Sequence, residues 1–358
     1  MANGLTFPSR AGQTNSAGDV DALFLKKFSG EILQTFEESN VFKPLHTVRT
    51  IENGKSAQFP VTGVASAAYH TPGENIAEAN DGAGNATYLS DIKKAEKVIT
   101  IDKMLLASTF LANIDDVKNH YDIRSVYANE LGKALAVRFD TAIAKTFLAS
   151  ARSASAVTGG KVGGILDVSA NAMGDGADST DDADNTDPTG AELIAALFTA
   201  AQKLDENDVP SDGRFCVLRP QEYYKLITGG GGSLVIASSG VNKDVGGEGS
   251  LATGNIPMVA GISIYKSNHI PSTDLSGTAT GDGASSNDVF GASGVGYNGN
   301  FTNTLGVVAH AAAVGTVKLL DLATESEYQI ERQGTLFVAK YAMGHGVLRP
   351  ECAIELQK

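Results

Sequence analysis

Between Tyr121 and Ser150 the apolar residues Tyr127, Leu131, Leu135, Phe139, Ile143 and Phe147 recur at every fourth position, with no proline and a single glycine, Gly132. At ~100° per residue each step drifts only ~40° around an α-helix, so the pattern predicts one long, slowly winding apolar stripe, ~45 Å from end to end. Glu130, Lys133, Arg138, Asp140 and Lys145 fall between the stripe positions and are expected on a wet side. A rod of this length reads as a scaffold around which the chain is organised, although an enzyme core can hold such a helix too.

Other segments follow. Leu23, Phe24, Phe28, Ile32, Leu33 and Phe36 stand at helical spacing after Asp21, and the polar, glycine-containing residues before about Ala22 predict an arm. Val48 and Ile51 lead into Asn53-Gly54, a hairpin signal that predicts two strands joined by a tight turn. Lys93 to Asp102 alternates charged and apolar residues as a half-exposed strand does. Between these lies a stretch of small residues and turn formers, Gly63 to Leu89, and together they describe a long excursion from the fold and back. A two-stranded ribbon alone in water is marginal. With no covering layer apparent nearby in the chain, the ribbon is expected to pack on a neighbouring subunit.

Further on, Leu193, Ile194, Leu197, Ala200, Ala201 and Leu204 mark a helix capped by Thr189 or Gly190 and ended by Asn207 and Pro210. A strand at Phe215 to Leu218 and a helix opened by Pro220 complete what reads as a separate α/β module. One or two strands are expected between Ile256 and Tyr265, others at Asp288 to Phe290 and Gly306 to His310. A pair of joined strands is expected at Leu336 to Met343 and Cys352 to Leu356.

Composition narrows the function. The 358 residues suggest roughly two domains with ample core, and 28 basic against 41 acidic residues give a formal charge of −13. That balance argues against a sequence-reading nucleic-acid site, whose affinity rests on cationic contacts to phosphate. Cys216 and Cys352 lack metal or redox spacing and fit buried thiols. No secretory signal and no run approaching ~20 apolar residues is present, so no membrane association is expected. The six histidines, His46, His70, His120, His269, His310 and His345, form no HxH or HExxH motif, and no GxSxG elbow occurs. Gly229 to Gly232 lacks the trailing residues of a phosphate loop, and the aspartates from Asp175 to Asp187 lack the order of a calcium loop. No catalytic residue, cofactor or metal site is expected. Lys55, Lys93, Lys94 and Lys97 read equally as a solvated face or as partners of a neighbour's carboxylates.

The peptides GKSAQFPV (Gly54 to Val61), AAYHTPGENI (Ala67 to Ile76), EKVITID (Glu96 to Asp102), NHYDIRS (Asn119 to Ser125), AVGTVKLLDLA (Ala313 to Ala323) and AKYAMGHGVLRPE (Ala339 to Glu351) occur in this order along nearly the whole chain. Through them the chain resembles the major capsid proteins of short-tailed, T7-like podoviruses, with the α+β, HK97-like capsid fold. The resemblance implies an N-arm and short helix over 1–45, an extended E-loop over 46–103, and a peripheral domain with its spine helix over 104–188. It further implies an axial domain over 189–316 and return strands over 317–358.

It also implies self-assembly into hexamers and pentamers of an icosahedral shell around double-stranded DNA. A scaffolding protein and a portal protein are the implied partners, with decorating proteins as a further class. The implied location is the virion capsid, assembled in the host bacterial cytoplasm. Phe59, Tyr69 and Ile76 are expected to anchor the extended loop on a neighbour, with Arg49, Lys55, Arg124 and Arg349 as intersubunit charge partners. The resemblance carries over no Lys–Asn cross-linking motif, so a non-covalent shell is expected. Two other readings are a phage decorating or tail protein forming rings or trimers, and a cytosolic carbohydrate-active enzyme.

Overall fold

The computed structural model describes residues 40–63, 65, 67–76, 88, 92, 94–101, 104–112, 123–155, 160–168, 187–228, 258–275 and 299–358, the side chains of 123–126 and 128 excepted. The expected helix after Asp21 and the strand at 288–290 lie outside these residues. Helix α1, Ile123–Ala151, is the long rod. Leu135, Phe139, Ile143 and Phe147 are buried along its stripe, with Tyr127 and Leu131 half-buried. Beyond Phe139 nearly every side is covered, because strands from both halves of the chain pack around it. Asp140 and Lys145, expected on a wet side, are therefore buried. The stripe marks one dry face, and distant strands dry the other.

A four-stranded sheet has the order β1-β10-β11-β4, where β1 is Thr47–Thr50, β4 is Leu105–Ala112, β10 is Val314–Gln329 and β11 is Gly334–Val347. β10 and β11 form a long antiparallel hairpin, β4 joins β11 antiparallel, and β1 joins β10 in parallel. A six-stranded sheet has the order β5-β12-β9-β6-β8-β7. Its strands are β5 (Gly164–Asp167), β6 (Arg214–Leu218), β7 (Met258–Val259), β8 (Ile262–Lys266), β9 (Thr304–His310) and β12 (Ala353–Gln357). Every residue of β6 and β12 is buried, so both read as continuous runs without alternation. Strands β5 and β12 of this sheet come from either side of residues 189–316. One core runs between α1 and both sheets, with Phe147 edge-on to Phe215 at 5.4 Å.

Helices α2 (Gly190–Glu206) and α3 (Pro220–Thr228) flank the six-stranded sheet. Of the two expected caps it is Thr189 that closes α2, through a reciprocal box with Glu192. Both cysteines are free and buried, and burial pushes the Cys352 thiol up to about 11.

Two expected pairings are corrected. β1 does not form a hairpin across Asn53-Gly54 with β2 (Ser56–Thr62); β2 pairs instead with β3 (Lys94–Thr100). Gly54 does turn the chain, at φ +118°, but the turn delivers the strands to different sheets. Likewise β11 and β12 are not partners, because the short helix at Pro350–Cys352 redirects the chain from one sheet to the other.

Candidate assembly surfaces

The extended excursion is built from the ladder of β2 on β3, in register from Ser56 opposite Thr100 to Thr62 opposite Lys94. Its root does not hang free. Ala57 and Ile99 are buried against Val317 of β10, with Ile51, Phe59, Ile101 and Leu348 around them. The Ile101 amide donates to the Lys55 carbonyl at 2.8 Å, and the Ile51 amide to the Lys318 carbonyl at 2.9 Å.

Beneath the root lies a track of glycines. A Cβ on Gly346 would stand 2.6 Å from Ile99 Cγ1, and one on Gly344 would fall onto the Thr100 carbonyl oxygen. Gly315 is similarly closed by Leu348 and Ile99. These glycines let backbone lie on backbone. The expectation that the chain offers the ribbon no covering layer is thus corrected at the root. The covering strands arrive from the far end of the sequence, where local pattern cannot reveal them.

The outer part differs. Val98, Tyr69 and Ile76 are exposed, Tyr69 completely. The turn Thr71–Glu74 is held by its own hydrogen bond of 3.1 Å and by Tyr88, whose hydroxyl accepts from the Thr71 amide at 3.0 Å and donates to the Glu74 carboxylate. The His70 ring lies tilted against that of Tyr88, with ring centres 5.1 Å apart. Tyr88, unremarked in sequence, thus braces the loop that presents Tyr69.

The structure brings together two of the expected residues: the Arg49 guanidinium lies 5.5 Å over the Phe59 ring and reaches the Gln58 carbonyl at 3.4 Å. Phe59 is half-buried on the root. Lys55, Arg349 and Lys94 are exposed and Lys97 half-buried. The Arg124 side chain and Lys93 lie outside the described residues. Apolar residues also face solvent along both edges of the four-stranded sheet, Val48 on β1 and Leu106 on β4, and at the hairpin tip, Ile330. An open sheet edge carrying apolar side chains is a template for another chain.

The chain's end is tied down separately. Lys358 Nζ and Lys225 Nζ lie 3.1 and 3.6 Å from Asp187, and the Lys358 bond, with both ammonium charges, holds the Asp187 carboxyl below the usual range. Among the described residues no cluster of histidine, cysteine and carboxylate side chains could hold a metal, and no helix is long and apolar enough to cross a membrane.

A ribbon seated at its root, a rod-like helix and two sheets sharing one core define a subunit of an HK97-like capsid. The model of the Gp10A-like major capsid protein family matches residues 58–357. Over 344 residues the chain is 36% identical to the major capsid protein of Escherichia phage T7, spanning 94% of this chain and 92% of that one. It is 34% identical to the major capsid protein of Enterobacteria phage T3, spanning 99% and 97%. The capsid of Cyanophage P-SCSP1u superposes with a TM-score of 0.67 at 39% identity, covering 89% of this chain and 88% of that one. The chain belongs to the Gp10A-like family of major capsid proteins. Its role is that of a tailed-phage major capsid protein, a structural component that assembles with copies of itself. Matches of this length to major capsid proteins do not favour a decorating or tail protein.

Proposed function

We propose that the chain builds a closed icosahedral shell of hexamers and pentamers around double-stranded DNA, with the outer half of the β2–β3 ribbon lying on a neighbouring copy. The observation that carries this reading is the division of the ribbon: its root is packed on the chain's own glycines, while Tyr69 and Ile76 stand in solvent. A ribbon so exposed gains stability from an external surface. In this reading Phe59, Tyr69 and Ile76 anchor the loop, and Arg49, Lys55, Arg124 and Arg349 supply charge partners across subunits. Residues 46–103 act as the extended loop, 104–188 and 317–358 as the peripheral domain, and 189–316 as the axial domain. A scaffolding protein directs closure, a portal occupies one vertex, and assembly runs in the host cytoplasm.

Negative-stain electron microscopy of the protein expressed with and without a candidate scaffolding protein tests the reading. Closed, uniform shells that depend on the scaffold support it. Monomers or small rings under both conditions overturn it. The shell is further proposed to be non-covalent, and a ladder of multimers on denaturing gels of purified particles would refute that.

A further inference from the structure

The segment Val41–His46 is seated on α1 by a small set of contacts. Phe42 is fully buried with its ring 6.1 Å from that of Phe147. The Val41 amide donates to Asp140 Oδ2 at 2.7 Å, and the Leu45 amide to the Phe42 carbonyl at 3.1 Å. His46 Nδ1 lies 2.8 Å from that same carbonyl. A carbonyl only accepts, so Nδ1 carries the proton, and in the neutral ring Nε2 is a bare acceptor. That Nε2 is buried and has no hydrogen-bond partner among the described residues.

A second buried histidine stands close by. The Phe139 ring lies between the two, 6.0 Å from His46 and 5.5 Å from His345. His345 Nδ1 is 2.8 Å from the Thr316 hydroxyl of β10. We propose that His46 and His345 form an acid-released latch: while both rings are neutral the segment Val41–His46 is seated on α1, and their protonation unseats it. A proton on His46 Nε2 would create a buried N–H donor with no acceptor in place, and a charge on either ring disfavours a charge on the other.

The other groups facing this site set the balance. Asp140 of α1 bears a negative charge that favours a charged His46, and its Oδ2 is engaged by the Val41 amide and by His269 Nδ1 at 3.1 Å. Lys145, also buried on α1, adds positive charge to the same stretch of helix. Burial outweighs Asp140 and holds His46 below the ordinary imidazole range, while burial and the neighbouring His46 push His345 down to about 3.

Hydrogen exchange of the full-length protein, followed from pH 7.5 to 5.0 and corrected for the intrinsic pH dependence of amide chemistry, tests this. Protection of the Val41 and Leu45 amides should fall about tenfold or more, since each histidine contributes up to about tenfold per pH unit below its free pKa. Protection within β6, which opens only with the whole fold, should stay well above that of Val41 and Leu45 at every pH, although it also falls because global unfolding frees the same histidines. His46→Gln and His345→Gln, neutral throughout, should each flatten the response; the native series decides the matter if neither variant folds. Protection that is flat or rises on acidification, as when a charged His46 is satisfied by Asp140, would overturn the latch. So would Val41 and Leu45 amides protected to the same level as β6 throughout, the sign that they open only by global unfolding.

Discussion

The Arg152 guanidinium grips the Glu355 carboxylate with two parallel bonds, Nε to Oε2 at 2.6 Å and Nη2 to Oε1 at 2.7 Å. This pair fastens the end of α1 to β12. Its carboxylate is fully buried, and the same guanidinium lies 4.9 Å over Phe301 and donates to the Asn300 carbonyl at 2.8 Å. Arg152→Ala would leave Glu355, among the described residues, with only the Thr304 hydroxyl at 2.6 Å, and should cost about 3–5 kcal/mol in urea denaturation. Pairing it with Glu355→Leu should restore much of the loss, because breaking a buried pair costs more than replacing it.

Tyr69 and Phe59 should separate assembly from folding. Tyr69 is fully exposed among the described residues, so Tyr69→Ala should leave the unfolding free energy within about 0.5 kcal/mol of the parent while lowering shell yield. Phe59→Ala also strips the ribbon root and the Arg49 stack, so chain stability should fall by about 1–3 kcal/mol, less than for a fully buried phenylalanine. Equal shell yields for Tyr69→Ala and the parent would remove Tyr69 from the interface.

Gly344→Ala would set a methyl group against backbone rather than a pliant side chain, so the ribbon root must shift. The expected cost is about 1–3 kcal/mol, with faster hydrogen exchange across β3. A surface glycine such as Gly73, with open space around it, offers a control for crowding, although its φ of +100° adds backbone strain.

His345 makes overall stability pH-dependent. Its folded pKa of about 3 lies below the unfolded value of 6.5, so the unfolded state binds more protons between them. Stability from the neutral ring is present above pH 6.5 and is lost as pH falls toward 3. The slope is ~1.4 kcal/mol per unit, or about 2 kcal/mol between pH 6.5 and 5. Urea titrations at those two values should show the loss, and His345→Gln should reduce it.

Much of this fold is legible locally. The stripe of α1, the cap of α2 at Thr189 or Gly190 and the buried run of β6 each declare themselves within a few residues, because helix period and cap chemistry are local properties. The partner of β1 is not: Val48 sits opposite Thr316, and no nearby residue encodes that pairing. The strand β4, Leu-Leu-Ala-Ser-Thr-Phe-Leu-Ala, has a short apolar run whose periodicity does not choose between helix and strand; it becomes a strand by joining β11. Asp140 was misplaced for the same reason, since its burial is decided by Val41 and His269 rather than by its neighbours in α1. At the assembly surface, aromatic residues in a turn-rich stretch pointed to Tyr69, whereas the seat beneath Ile99 required glycines from β10 and β11.

The strand order also fixes when folding can finish. β1 pairs with β10, β4 with β11, β6 with β9, and β5 with β12, the last strand of the chain. Neither large sheet can close until the strands between Thr304 and Gln357 have been synthesised and have left the ribosome. Pairings so distant in sequence are slow to form. A chain made only as far as β9 therefore has no glycine seat beneath its ribbon, and the root can be packed only once β10 and β11 have emerged.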